Sequence, residues 1–114
     1  MNYMIELEEK YVFHIPLYKC AGDELAAIEA DGILDELVDE LSQNGFDSLY
    51  MTKVESIYKS RRFDELLITV FASSNTPEII FSKWFSKNND VLGQEAFAYE
   101  KANRMIIHEL AGRK

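Results

Sequence analysis

Few side chains in this 114-residue sequence could do chemistry near neutral pH: the histidines His14 and His108, the single cysteine Cys20, and any carboxylates that share a surface with them. His14 could shuttle protons, Glu55 or Glu65 could act as a base beside it, and Lys53 could hold an anion. Thr69 completes that polar set. If a sheet gathers these five residues on one open face, they line a small-molecule pocket. Enclosing them would move the carboxylates and the imidazole toward neutrality. The plainer reading is that Lys53 and Glu55 are solvated strand charges, Lys53 guarding an exposed strand against unwanted pairing. No nucleophile elbow, phosphate-binding loop or dinucleotide glycine pattern accompanies them. The histidines stand in no zinc spacing with Cys20, which reads as a small buried hydrophobe. The sequence therefore points to no catalytic residue, no metal and no cofactor.

A second constellation is acidic. Asp35, Glu36, Asp39 and Glu40 flank an apolar helical stripe, with no basic residue between Asp23 and Glu40. They could dock a basic partner, or simply form a solvated helix face. Residues 1–57 hold 13 acidic and 3 basic side chains, whereas 58–114 hold 7 and 9. With 12 Lys+Arg against 20 Asp+Glu the formal charge is −8, which argues against nucleic-acid binding. A 47% hydrophobic composition supports a packed core and excludes a disordered tail. No run of residues reaches membrane-spanning length, and no targeting segment is visible. We expect one domain over 1–114, soluble and cytoplasmic.

The elements that must position these groups follow from periodicity. Tyr11, Phe13, Ile15 and Leu17 alternate with Val12, His14, Pro16 and Tyr18, as in a strand. Pro16 cannot donate to a ladder, which suggests an edge position or a bulge. Gly22 and Asp23 open an acidic helical stretch, with a short turn of helix to Ala30. Ile33, Leu34, Leu37, Val38 and Leu41 then share one helix face, with Asp31 as N-cap and Asn44-Gly45 as stop. Ser48–Lys59 and Phe63–Ala72 read as strands joined at Ser60-Arg61-Arg62. That turn sets Tyr58 opposite Asp64 and Val54 opposite Ile68. It puts Met51, Lys53, Glu55 and Ile57 on a face with Glu65, Leu67, Thr69 and Phe71, joined by His14 and Tyr18.

Thr76-Pro77-Glu78 opens a helix, with Thr76 as the capping hydroxyl and a buried stripe of Ile80, Phe81, Trp84 and Phe85, ended by Asn88-Asn89-Asp90. From Glu95 to Leu110, Ala98, Tyr99, Ala102, Met105, Ile106 and Leu110 fit one face of a last helix. Only Phe97 interrupts it, and a strand near 95–100 is the alternative.

This order, β-α-β-β-α-α, is that of a ferredoxin-like α+β sandwich: a three-stranded antiparallel sheet with helices on one face. Val54-Glu55-Ser56-Ile57-Tyr58 followed by Asp64-Glu65-Leu66-Leu67-Ile68 resembles a hairpin of the CutA and PII-like proteins. That resemblance implies the same fold and nothing about function. An open face bearing Met51, Ile57, Leu67 and Phe71 needs cover, so we expect a homodimer. The reading is a small interaction or regulatory module rather than an enzyme. Two alternatives stand beside it: a dimeric α+β-barrel enzyme or small-molecule sensor with its pocket on the open face, and an acidic protein that takes a basic protein partner through its first helix.

Overall fold

A computed structural model describes residues 3–21 and 24–110; Gly22 and Asp23, expected to open a helical stretch, lie outside them. The elements run β1 (Glu9–Pro16), β2 (Tyr18–Ala21), β3 (Glu24–Ala27), α1 (Asp31–Gln43), β4 (Leu49–Tyr58), β5 (Arg61–Ala72), α2 (Thr76–Lys87), α3 (Asn89–Leu92), β6 (Ala96–Lys101) and β7 (Arg104–Glu109). Five strands make one antiparallel sheet in the order β4-β5-β1-β6-β7, and β2 with β3 makes a second, two-stranded sheet. The fold is α+β, but the expected three-stranded ferredoxin-like sandwich is wrong.

Two misread elements account for the difference. Residues 96–109 form a hairpin instead of a helix. Phe97 and Tyr99, two apart, both enter the core, which only a strand allows. Ala102 and Asn103 make the turn with φ of 53° and 62°, the conformation a two-residue hairpin loop requires. The added strand β6 then pairs with β1, so β1 is central and not an edge. Pro16 is tolerated because β6 pairs only with Tyr11–His14, leaving Pro16 beside β5 alone. The stretch after Asp23 is likewise strand, with Tyr18 opposite Ala27 and Cys20 opposite Leu25. Cys20 is exposed there, not buried.

The β4–β5 register also departs from expectation. Tyr58 pairs with Arg61 across a two-residue turn, Lys59-Ser60, with φ of 51° and 66°. Relative to the expected pairing this is a slip of three residues. An odd slip turns β4 over, so Tyr50, Thr52, Val54 and Ser56 lie on the open face, and Met51, Lys53, Glu55 and Ile57 turn to the helix side.

Both long helices cover one face, as the periodicity indicated. Leu37 and Leu41 of α1 join Phe81, Trp84 and Phe85 of α2 in one cluster with Tyr11, Phe13, Ile15, Ile68 and Val70. Phe13 stacks on Phe81 with ring centroids 4.4 Å apart. The Trp84 indole N–H donates to the Ile33 carbonyl at 2.7 Å, fastening α2 to α1. Asp31 and Thr76 are first helical residues rather than caps; Ala30 and Asn75 occupy the cap positions without side-chain bonds. Among the described residues, no helix is long and apolar enough to cross a membrane.

Candidate functional site

The helices leave the opposite face of the sheet uncovered, and four adjacent strands each send one polar residue to a single point on it. His14 comes from β1, opposite Leu67 of β5 and Ala98 of β6. Glu65 lies two residues along β5, opposite Pro16, and Glu100 two residues along β6, opposite Val12. Both are diagonal neighbours of His14, within reach of long side chains. His14 Nδ1 is 3.1 Å from Glu65 Oε1, and Nε2 is 2.6 Å from Glu100 Oε2. From β4, Ser56 Oγ donates to the same Glu65 Oε1 at 2.8 Å.

Burial works against charge on both His14 and Glu65, yet the hydrogen bonds outweigh it. For His14, desolvation pushes the value down, but the bonds and charges of Glu65 and Glu100 raise it overall above the usual 6.5. For Glu65, desolvation pushes the value up, but the bonds from His14 and Ser56 and the His14 charge take it below the usual 4.5. The site is thus biased toward an imidazolium between two carboxylates, with a formal charge of −1. Glu65 is nearly enclosed, with an 11% exposed side chain, whereas Glu100 is 41% exposed.

That arrangement constrains its chemistry. Both ring nitrogens are engaged, so His14 is no free base until a carboxylate moves, and Glu100 is the one with room to move. The two carboxylates lie against opposite nitrogens of one ring and cannot converge on a single ion. Among the described residues no group of three His, Cys, Asp or Glu side chains is placed to hold a metal. A cation is the natural guest for the exposed edge of such a cluster.

The surroundings are mixed. Thr69 is buried on the same face, between Val12 and Tyr50. Leu17 N–H donates to the Asp64 carbonyl at 3.0 Å, which carries the line of β1 into β2 and sets the Tyr18 ring 4.5 Å from that of Phe63, beyond Glu65. Of the five residues assigned to the open face, His14, Glu65 and Thr69 are there. Lys53 and Glu55 are not: they oppose Leu66 and Asp64 on the helix side, and Glu55 accepts from Arg62 at 2.9 Å. The acids of α1, Asp35, Glu36, Asp39 and Glu40, line a shallow open depression well apart from this cluster. Glu36 takes Lys87 of α2 at 3.0 Å. Glu100 was missed because its strand reads as helix, and Ser56 because the expected β4–β5 register turns it to the other face. The alternation of Phe97 and Tyr99 with Ala98 and Glu100 was the available signal.

No protein-family model matches this sequence, and no curated protein is similar to it. The fold is shared with solved structures of a phage SAM lyase. One, in complex with S-methyl-5′-thioadenosine, superposes with a TM-score of 0.65 at 10% identity over 100% of this chain and 98% of that one. A second, in the apo state, gives 0.60 at 10% identity over 99% and 100%.

Proposed function

We propose that the open sheet face binds an adenosyl sulfonium compound and cleaves it, as an S-adenosylmethionine lyase. The observation that carries this reading is His14 held between Glu65 and Glu100 on an uncovered sheet face. The fold likeness supports it, since one neighbour holds S-methyl-5′-thioadenosine.

The electrostatics suit that ligand. S-adenosylmethionine carries a sulfonium, an ammonium and a carboxylate, a net charge of +1 that complements the −1 of the cluster. Glu100, the exposed carboxylate, receives the ammonium, and the Tyr18–Phe63 ring pair offers a surface for the purine. The sulfonium itself is better placed over Val12 and Leu67. Cleavage leaves the electron pair of the broken C–S bond on sulfur, giving a neutral thioether, while an oxygen of the ligand's own carboxylate closes on the γ-carbon that sulfur leaves, giving a lactone. Because the reaction removes charge from sulfur, apolar contact there favours the transition state, whereas a carboxylate at sulfur would favour the ground state.

The test is incubation with S-adenosylmethionine, with chromatographic measurement of S-methyl-5′-thioadenosine against a protein-free blank. We expect release above the blank, reduced by Glu65→Gln, which removes the charge that holds His14 in place on this face. Absence of both turnover and thermal stabilisation by either compound would overturn the reading. Full turnover in Glu65→Gln and Glu100→Gln would move the site off this face.

A further inference from the structure

Residues 3–8, ahead of β1, carry Tyr3, Met4, Ile5 and Leu7 at 85, 83, 84 and 39% exposure. Among the described residues, no backbone group of this segment is hydrogen-bonded to the body. Four large apolar side chains facing water within six consecutive residues mark a surface meant for cover. Their order is that of a strand: extended, Tyr3, Ile5 and Leu7 fall on one side, and Met4, Glu6 and Glu8 on the other.

The sheet offers a matching acceptor in β4, a ten-residue edge. In its ladder with β5, Phe71 N–H donates to the Ser48 carbonyl. Alternation from that bond leaves the backbone groups of Leu49, Met51, Lys53, Glu55 and Ile57 pointing outward, unpaired. An added strand can set Tyr3, Ile5 and Leu7 beside Tyr50 and Val54 on the open face. Glu6 and Glu8 then fall on the side of Lys53, which has no ionic partner among the described residues.

The chain's own β4 is badly placed to receive this segment. Glu9 pairs with Ala72 and Leu49 with Val70, so β1 and β4 start at the same end of the sheet. A segment preceding Glu9 leaves by that end, two strand spacings (about 10 Å) from β4. To line its own β4 it must reverse direction and cross the end of β5. Another molecule presents the same edge without that reversal.

We propose that residues 3–8 of one copy add as a strand to the free edge of β4 in a second copy. The proposal is independent of what the open face binds. It is tested by light-scattering mass over a range of concentrations for the full chain, for Ile5→Asp/Leu7→Asp, and for Met51→Pro. The first variant changes only side chains exposed or partly exposed in the isolated chain; the second blocks an outward N–H at the edge. We expect the full chain to assemble, and each variant to fall to the 13.2 kDa of one copy while keeping the circular dichroism of a folded body, less the small strand signal of the added segment. A full chain that stays at one copy throughout overturns the proposal, as does assembly that survives the arm substitutions. Assembly that survives Met51→Pro but not the arm variant overturns β4 as the acceptor. Should Met51→Pro fail to fold, the arm variant decides alone.

Discussion

His14 Nδ1 and Glu65 Oε1 lie 3.1 Å apart across the β1–β5 ladder, in the middle of the sheet face that no helix covers. The bond joins a residue of a central strand to a nearly enclosed carboxylate, and Ser56 donates to the same oxygen. Burial alone works against charge on each group. Each makes the other's charge tolerable.

Stability should therefore depend on pH through this pair. The folded value of His14 is raised, so its contribution is complete below the usual 6.5 and is lost as pH rises through the folded value. The folded value of Glu65 is lowered, so its contribution is present above the usual 4.5 and is lost as pH falls through the folded value. The pair contributes most between those two limits. Thermal melts should show the wild type losing stability as pH rises from the usual 6.5 through the raised folded value of His14, with a shallower decline in His14→Gln. Parallel profiles would show that the pair is not coupled to folding.

The two carboxylates should differ in what their removal costs. Glu65→Ala strands the Ser56 hydroxyl and one His14 nitrogen in a largely dry place, at about 1–3 kcal/mol. Glu100 is 41% exposed, and water replaces it readily, so Glu100→Ala costs about 1 kcal/mol or less despite the shorter contact. Urea midpoints of the two variants distinguish these values. Equal losses would mean that Glu100 is held more rigidly than its exposure implies.

Trp84 is a separate anchor. Its N–H reaches the Ile33 carbonyl at 2.7 Å while its ring packs near Phe81 and Phe85. Trp84→Phe keeps an aromatic ring and loses only this bond, since the Ile33 carbonyl keeps its place in the α1 ladder, and should cost about 0.5–1.5 kcal/mol in denaturant unfolding. A neutral substitution would mean that water reaches the α1–α2 seam.

The helices were legible in the sequence because their signals are local: the 33–41 stripe, Asn44-Gly45, and Pro77 in a first turn. The open face was half legible. His14, Glu65 and Thr69 depend only on the alternation within β1 and β5, which apolar runs make plain. Lys53 and Glu55 were misplaced because the face of β4 depends on the length of its turn, and Lys59-Ser60 carries no glycine to mark the two positive φ values. Glu100 was hidden for the same reason, since Ala102-Asn103 reads as the continuation of a helix. The five-stranded sheet is a tertiary choice, made by burying Phe97 and Tyr99 against Phe81.

Those unmarked turns lead to a last prediction. Ala102 sits at φ 53°, where an L-residue with a Cβ pays about 1–2 kcal/mol. Asn tolerates this region far better than Ala and, unlike glycine, adds little freedom to the unfolded chain. Ala102→Asn should therefore raise stability by about 0.5–1 kcal/mol, and Ser60→Gly, at φ 66°, by a smaller amount. Gly93 is the opposite case. It has φ 61°, and a Cβ there would come within 3.2 Å of the Lys19 side chain, so Gly93→Ala combines strain with crowding and should destabilise by about 1–2 kcal/mol. Because Ala102 turns the hairpin that carries Glu100, the Asn variant should also leave the His14 titration unchanged. A stabilised variant with a shifted His14 titration would mean that this turn sets the reach of Glu100, and a destabilised one would mean that the 101–104 turn is not a two-residue loop.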